Sequence, residues 1–541
     1  MTGKQVIDRC SQLEQIRSPH EYLWNEVGFL TNAKYYGNKG TTTKGFIPHA
    51  EIYDTSLRTK GRMQANGITS MLFPRDRDWI KLLPPFHLRK ETHLQKFYNE
   101  AGEAILHYLR QSNFHHQNHG VIVSRSFQGT GCMAMEWLDD EGMPNFRRHQ
   151  TMHYLIDHDT RSKVDTFACK YYWSAARAAE EWGIENLSSK LQTEARDNSK
   201  RCELHTFIFM VVKRPSWERD GEGNKGMDFA VYVVEEDSKH VILESGMDKF
   251  PVVASRYEVY DSPWGYSPAW EVLPDAYKAN YAAKFMMVMG ERAAVPPVVA
   301  PASMKEEGVG LGAGMVTYVA DSDSGNWPRE LGSASNYNIG MEVWKQLRDS
   351  IDESYHGHLF NMFSRATRER TATEITALQG ELNAQLDPTI TALNQDHTDP
   401  VVSWMFDTLA ENGVIDVPDE ALDEKTAKAV MPVFAYENSF TMNHRQANAL
   451  KAMEMLGFMS QMAAQGVPVD VAKMDEVARR IWRDQGLNED DLLSEQEYIE
   501  QQDAKAEMAE KQQAMQAAGG MAAAAKDASA AGLPVEEMMG M

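Results

Sequence analysis

Cysteine is scarce in this sequence of 541 residues, which contains only four. Cys10, Cys132, Cys169 and Cys202 lie far apart and form no CxxC or CxxH spacing. Structural zinc clusters and disulfide frameworks need regularly spaced thiols, so the sequence predicts neither and favours a reducing compartment.

Long hydrophobic runs are also missing. The longest, such as Phe207–Val212 and Ala282–Met289, are far shorter than the roughly 20 residues that a bilayer span needs. No charged segment followed by an apolar segment opens the chain. We therefore expect neither membrane insertion nor secretion.

Positive charge is in deficit, since 55 Lys and Arg face 78 Asp and Glu, which gives a net charge of −23. A protein that binds DNA by wrapping phosphates should be basic. A conduit through which DNA slides need not be, because an acidic wall would repel the duplex from all sides, over about 8 to 10 Å at physiological salt. The acidity is equally compatible with keeping a large assembly soluble.

Stretches that resemble nucleotide-binding or catalytic motifs lack the residues that define those motifs. Gly129-Thr130-Gly131 starts a nucleotide-loop pattern that ends at Ala134, so we interpret it as a tight entry into a strand. Two Walker-like glycine pairs are followed by Phe46 and Met227 where lysine is required. Hydrolase motifs are absent as well, so the sequence predicts no enzyme, no ATP motor and no cofactor.

A histidine cluster, HHQNH, contains His115, His116 and His119. No cysteine or carboxylate stands at ligand spacing, so we predict no metal site there. Three further histidines are predicted to cap or pack strands, namely His149, His153 and His158.

The first half of the chain predicts an α+β body. Helical spacing indicates a helix containing Leu13 and Leu30 with a break or kink at Ser18-Pro19, and further helices over Asp54–Leu72 and Glu91–Ser112. From Asn113 the apolar period changes toward two, which favours antiparallel strands. The predicted strands are Ala134–Leu138, His153–Asp157, Asp165–Lys170, Thr206–Lys213, Phe229–Glu235, His240–Glu244 and Val252–Tyr257. Short helices are expected near Trp173–Trp182 and Leu187–Asn198.

The segment from Ser262 to Ile415 shows the most distinctive pattern. Apolar residues recur every three or four positions over Ser267–Arg292, which predicts one helical face made of Trp270, Leu273, Tyr277, Tyr281, Phe285 and Met289. The pattern stops at Val295-Pro296-Pro297, and a glycine-rich stretch with short β-type runs such as Met315–Val319 follows.

A second amphipathic helix is predicted over Gly340–Phe363, followed by a basic loop. Thr371 and Glu374 form a capping box that starts a third helix at Ala372, with kinks or restarts at Pro388 and Pro400. Residues 441–499 form another helical block, and the Gln, Ala and Met repetition beyond it is expected to be mobile.

These residues carry a specific resemblance. The stretches RSPHEYLWNEVGFL, GYSPAWEVLPDAYKAN, RERTATEITALQGELNAQLDPTITAL and DPVVSWMFDTLAENGVI, in this order, resemble the head-to-tail connector family of podoviruses, the portal proteins of short-tailed phages. The resemblance spans roughly Arg17 to Ile499.

The resemblance implies an α+β portal fold assembled as a ring. Its expected parts are a wing (1–266), stem helix 1 (267–294), an α/β clip (295–337), stem helix 2 (338–363), a tunnel loop (364–371), a wing helix and return (372–440), crown helices (441–504) and a flexible tail (505–541).

The same resemblance implies a homo-oligomer, usually of twelve subunits, at one capsid vertex of the virion and made in the host cytoplasm. It would nucleate procapsid assembly, conduct double-stranded DNA of any sequence, and dock the terminase large subunit and later tail adaptor and tail tube proteins. Capsid and scaffolding proteins are further expected partners. Two alternatives remain open: a tail adaptor ring without a packaging role, and an enzyme of the packaging apparatus.

Arg365, Arg368 and Arg370 form the basic loop that, in this family, projects into the tunnel toward DNA. A loop guanidinium contacts phosphate without reading bases. Alternatively, these arginines pair with Glu369, Glu374 or carboxylates of a neighbouring subunit.

Five cations on the stem helices are candidates for tunnel lining or inter-subunit pairs, which the sequence does not separate: Lys278, Lys284, Arg292, Lys345 and Arg348. The methionines at positions 286, 287 and 289 are typical of an adaptable apolar face. Trp327 and Arg329 are proposed for the docking surface of the clip, although an ordinary loop is nearly as compatible.

Overall fold

The computed structural model describes residues 1–31, 52–88, 91–219, 223–295, 298–301, 316–319, 329–330, 337–357, 360, 384–422, 429–436, 449, 451–459 and 474–484, with four isolated positions beyond 500. The chain divides into two compact units, Met1–Thr441 and Met442–Met541.

Helices dominate the described part of the first unit. In chain order they are α1 (Gly3–Thr31), α2 (Ser56–Leu72), α3 (Thr92–Gln111), α4 (Phe114–Gln128), α5 (Ala175–Trp182), α6 (Ser189–Arg196), α7 (Pro268–Glu271), α8 (Leu273–Ala294), α9 (Tyr337–Ser354) and α10 (Asp399–Glu411).

The longest strands form an antiparallel five-stranded sheet in the order β4-β5-β6-β7-β8, whose members are β4 (Tyr154–His158), β5 (Val164–Ser174), β6 (Leu204–Lys213), β7 (Phe229–Glu235) and β8 (Val241–Met247). A second antiparallel sheet joins β2 (Thr130–Leu138) to β3 (Met143–His149) and β9 (Val252–Arg256). All seven predicted strands are therefore confirmed, and β3 is one that the sequence pattern did not predict.

Smaller sheets complete the described strands. Strand β1 (Ile80–Leu83) pairs with β15 (Val433–Tyr436), and β10 (Glu258–Val259) pairs with β11 (Gly265–Tyr266). Within the glycine-rich stretch, β12 (Val298–Pro301) lies between a parallel β13 (Val316–Val319) and an antiparallel β14 (Arg329–Glu330). The β-type run that the sequence suggested at Met315–Val319 is thus a strand.

Helix α4 lies at the centre of the main core and corrects the prediction of strands from Asn113 onward. Every residue from Val121 to Gln128 is buried, including the polar Ser124, Arg125 and Gln128. A helix that is buried on all sides has no amphipathic period, and its apolar residues then resemble a strand.

Helix α4 ends at Gly129, which has a left-handed conformation with φ of 78°. A Cβ at this position would lie 2.1 Å from the carbonyl oxygen of Gly265. Strand β2 starts at the next residue, so the interpretation of Gly129-Thr130-Gly131 as a tight strand entry is confirmed.

Of the predicted break or kink at Ser18-Pro19, the break is wrong, because α1 runs through Pro19 without interruption, and the kink stays a prediction. Ser18 and Pro19 both lie on the exposed side of the helix, while Leu13, Arg17 and Trp24 are buried. Packing before and after the proline therefore holds the helix together although one backbone hydrogen bond is lost.

The second long helix was predicted to reach Phe363, but α9 ends at Ser354 and a turn at Tyr355-His356 interrupts it, after which Gly357 and Phe360 are helical again and residues 361–363 lie outside the described residues. His356 has a positive φ of 51°, which a helix cannot accommodate. Tyr355 is buried in the core, so packing of this aromatic ring stabilises the turn.

Residues 384–393 are helical through Pro388, and a π-helical segment, Asn394–Thr398, connects them to α10. Pro400 lies in the first turn of α10, and the backbone stays helical from the π-helical segment into α10, so the chain does not restart a helix at this proline, and a kink there stays a prediction. The predicted capping box at Thr371 and Glu374 lies outside the described residues.

In the second unit, residues 451–459 are helical and α11 spans Met474–Asp484. Among the residues that the structure describes, no helix is long and apolar enough to cross a membrane.

Candidate functional site in a helical hairpin

Helices α8 and α9 form an antiparallel hairpin that carries β12, β13 and β14 between them in sequence. Near its base, the hydroxyl of Ser350 donates a hydrogen bond to Oδ2 of Asp275 at 3.0 Å. Farther along, Gly340 faces Met286 so closely that a Cβ at Gly340 would lie 2.8 Å from the Met286 sulfur. Small residues at such a crossing let two helices approach each other closely.

The segment before α2 ties the middle of the hairpin to the body of the unit. Oδ1 of Asn280, on α8, accepts hydrogen bonds from the backbone amides of Tyr53 at 2.6 Å and Asp54 at 3.0 Å. Asp54 is itself buried, and its Oδ1 accepts the amide of Ser56 at the start of α2. The side-chain amide of Asn280 therefore holds the middle of α8 against the segment that leads into α2.

Asp54 also holds the second helix. Its Oδ2 accepts a hydrogen bond from Nε1 of Trp344 at 2.9 Å and lies 4.0 Å from Nε of Arg348. The Arg348 guanidinium stacks over the Trp344 ring, 4.7 Å from its centroid. Because both partners approach a buried carboxylate, Asp54 is the common anchor of α8 and α9.

At the base, α9 meets α2 through a second polar contact. Lys60 forms an ion pair with Asp352 in which both side chains are largely shielded from water. Phe360 lies against Gly67, where a Cβ would come within 2.3 Å of its ring. The hairpin base is therefore rigidly seated.

The outer half of the hairpin, in contrast, exposes large apolar side chains. Leu273, at the base of α8, is buried, whereas Tyr281 is 74% exposed and Phe285 57% exposed. The exposed apolar residues of the two helices and the α8 end are Tyr281, Phe285, Met287, Val288, Val295, Met341 and Val343. We call these seven residues the hairpin apolar surface. Tyr281, Phe285 and Val288 recur at helical spacing and so share one face of α8, and an exposed apolar face is typical of an interaction site.

The apolar face that the sequence predicted on α8 is thus divided. Its first members, Trp270 and Leu273, pack into the core of the unit, and Tyr277 is partly buried with its hydroxyl hydrogen-bonded to Glu26. Its outer members, Tyr281 and Phe285, are exposed.

All five predicted stem cations are exposed on α8 and α9, the helices that carry the hairpin apolar surface. Lys278 is mostly exposed and pairs with Asp275 at 3.1 Å, and Lys284 lies over the Tyr53 ring at 5.4 Å. Arg292 and Lys345 are exposed. Arg348 differs, because Trp344 and Asp54 engage its guanidinium.

Most of the remaining predicted site residues are not among the residues that the structure describes. Arg365, Arg368, Arg370 and Trp327 lie outside the described residues. Arg329 lies in β14, next to β12. Their roles stay predictions.

A buried polar cluster behind the hairpin was not predicted from the sequence. Arg256 donates two hydrogen bonds to Asp396, at 2.8 and 3.0 Å, and a third to the Ser162 carbonyl at 2.7 Å. Nε2 of His397 lies 2.7 Å from Oδ1 of Asn118 on α4. The π-helical segment that contains Asp396 and His397 turns both side chains toward the core, a role that π-turns commonly have.

Burial shifts the titration of this cluster. The pKa of His397 falls to about 3 because desolvation disfavours the imidazolium, with a smaller contribution from Arg125. Arg125 donates to the carbonyls of Arg256 and Thr389, and burial lowers its pKa to about 10. The cluster joins α4, β9 and the helical residues 384–393 to one another.

Comparisons with known proteins agree with one another. A family model described as "Bacteriophage head to tail connecting protein" matches residues 3–493. The portal protein of Salmonella phage epsilon15 is 23% identical over 485 residues, covering 87% of this chain and 85% of the relative. The probable portal protein of Bordetella phage BPP-1 is 21% identical over 433 residues, covering 77% and 76%. The chain therefore belongs to the family of bacteriophage head-to-tail connecting proteins.

Proposed function

We propose that this chain is the portal protein of a short-tailed phage and that it assembles into a ring, usually of twelve subunits, at one vertex of the capsid. The relatives named as portal proteins support this role. In the proposed ring, double-stranded DNA passes through the centre during packaging and ejection, and the protein performs no covalent chemistry.

The observation that carries the proposal is the hairpin apolar surface. A hairpin seated firmly at its base, through Asp54 and Asn280, and apolar at its exposed end suits a wall shared between neighbouring subunits. The exposed lysines and arginines of α8 and α9 would then form inter-subunit pairs or face the channel. Burial of the apolar surface between subunits would supply the main association energy.

Passage of DNA requires weak, sequence-independent contacts. The net charge of −23 supports sliding rather than wrapping. We assign the DNA contacts to the tunnel loop with Arg365, Arg368 and Arg370, whose guanidinium groups would touch phosphates only.

Docking of the terminase large subunit, and later of tail adaptor and tail tube proteins, is assigned to the clip. Strands β12, β13 and β14 give this insert a small framework on which Trp327 and Arg329 would present a surface. Capsid and scaffolding proteins would contact the body, and the protein would be made in the host cytoplasm and end in the virion.

Replacement of all three loop arginines by alanine tests the DNA role. We expect rings to assemble normally and the length of packaged DNA to change, while the exposed Arg161→Ala serves as a matched control away from the loop. Unchanged assembly together with unchanged DNA length would show that the loop does not contact DNA.

Two further assays separate the alternative functions. Robust nucleotide hydrolysis by the purified chain alone would indicate a packaging enzyme instead of a conduit. Deletion of residues 295–337 should abolish packaging if the clip docks the motor, and normal packaging by this variant would favour a tail adaptor.

A further inference from the structure

Three potential metal ligands converge where α6 meets the start of β6. Glu194 lies on α6, Glu203 directly precedes β6, and His205 is the second residue of this strand. One ligand atom from each side chain lies within 4.8 Å of the other two. Among the residues that the structure describes, no other group of three such side chains comes together in this way.

Two of these side chains are buried, and one polar atom of each lacks a hydrogen bond. His205 and Glu194 are each only 8% exposed. Nε2 of His205 and Oε2 of Glu194 lie 2.8 Å apart, within ion-pair distance, but neither atom makes a hydrogen bond of acceptable geometry within the described part of the chain. Buried polar atoms in native proteins almost always have such a bond, so this pair calls for a further partner.

The two atoms are closer than two ligands of a tetrahedral zinc ion. Ligands that bind zinc at about 2.1 Å and meet at the tetrahedral angle are about 3.4 Å apart, so the two side chains would separate by roughly 0.6 Å when an ion binds between them. Two carboxylates and one neutral imidazole would balance the charge of a divalent ion. Glu203 is exposed, which leaves the outer side of the site open to water ligands.

The local backbone keeps the ligands together. The Ser188 hydroxyl accepts the amide of Leu191 and fixes the start of α6. Asp197 accepts the amide and the hydroxyl of Ser199 and so closes the turn that follows the helix. The amide of Glu203 then bonds to the carbonyl of Lys200 at 2.8 Å, which places Glu203 beside the helix end.

We propose that Glu194, Glu203 and His205 bind a divalent cation of the first transition-metal row, and Zn²⁺ is the ion with which we represent this class. The imidazole nitrogen favours zinc, copper, iron or nickel over magnesium, calcium and manganese, which prefer oxygen ligands. The bound ion would link α6 to the sheet across residues 197–203. This inference does not depend on the function proposed above.

Titration of the full-length protein with Zn²⁺, after removal of metals by a chelator, tests the site by calorimetry. We expect one ion per chain at this site, little response to Mg²⁺, and a higher unfolding temperature with Zn²⁺ present. Loss of a coordinating side chain should weaken zinc binding by at least about tenfold. Even residues that only hydrogen-bond to a metal ligand weaken metal binding by about tenfold or more when they are replaced.

Glu203→Gln is the most useful variant, because this exposed side chain can change without disturbing the fold. Glu180→Gln, an exposed glutamate on α5, is the matched control and should bind as the unmodified protein does. No binding by the unmodified protein, or equal binding by Glu203→Gln and Glu180→Gln, would overturn the proposal.

Cys202 provides a second check. It is the one exposed cysteine of the four and stands next to Glu203. Since it is not among the proposed ligands, Cys202→Ser should retain zinc binding. If Cys202→Ser loses the ion while Glu203→Gln keeps it, the zinc binds through the thiol and the proposed ligand set is wrong.

Discussion

Phe285→Ala should weaken ring assembly without disturbing the fold of a single subunit. Phe285 is 57% exposed in the isolated chain. A phenylalanine side chain has about 200 Å² of surface, so roughly 110 Å² of it would leave water when a neighbouring subunit covers it. At about 25 cal/mol per Å², this amounts to roughly 2.5 to 3 kcal/mol per interface.

A loss of that size raises the dissociation constant of one subunit contact by about 100-fold. Sedimentation velocity over a range of concentrations would measure the shift from rings to monomers, and circular dichroism would verify the unchanged fold. Trp217→Ala is the matched control, because Trp217 is 81% exposed but lies between β6 and β7, away from the hairpin. Identical assembly of Phe285→Ala and the unmodified chain would refute the assignment of the hairpin to the subunit interface.

Three predictions concern the stability of the first unit. Gly129→Ala should cost at least about 2 kcal/mol in urea unfolding, because φ is positive and the new Cβ meets the Gly265 carbonyl; an unchanged midpoint would contradict this. Asp396→Ala should cost about 3 kcal/mol, since it leaves Arg256, only 3% exposed, without its carboxylate; a change under about 1 kcal/mol would refute this. His397 has a pKa of about 3 when folded and about 6.5 when unfolded, so the unfolded state binds the extra proton and this residue alone lowers the free energy of unfolding by about 1.4 kcal/mol per pH unit below pH 6.5. His397→Gln should reduce the slope of stability against pH by that amount between pH 6 and pH 4.5, and an equal slope in both proteins would disprove it.

The strands and most helices could be predicted because their signals are local. Phe229–Glu235 is a short apolar run rich in valine and aromatic residues, which is typical of a strand buried on both faces, and the structure has this strand with the same bounds. Helix α3 was likewise predicted to within one residue at each end. Its amphipathic face packs into the core and leaves a clear period of 3.6.

A helix that is buried on all sides cannot be predicted from the local pattern of polar and apolar residues. Val121 to Gln128 are all buried in α4, so polar and apolar residues alternate without regard to any face. The end of α9 at Ser354 has a different cause, since the burial of Tyr355 in the core stabilises a turn that no nearby proline or capping pattern announces.

No local sequence pattern predicts the contacts that position the hairpin. Asp54, Asn280 and Trp344 come together from points more than 60 residues apart, and only the folded chain shows that one carboxylate anchors both helices. Likewise, the spacing of Tyr281 and Phe285 predicts an apolar face. It cannot tell whether the chain itself or another subunit covers that face, because both impose the same helical period.

Native mass spectrometry combined with electron-microscopy class averages of the purified protein tests the central claim most directly. A closed ring of about twelve subunits, with an axial channel lined by the hairpins of α8 and α9, is the predicted result. A chain that stays monomeric at all concentrations, even with scaffolding protein present, would contradict it.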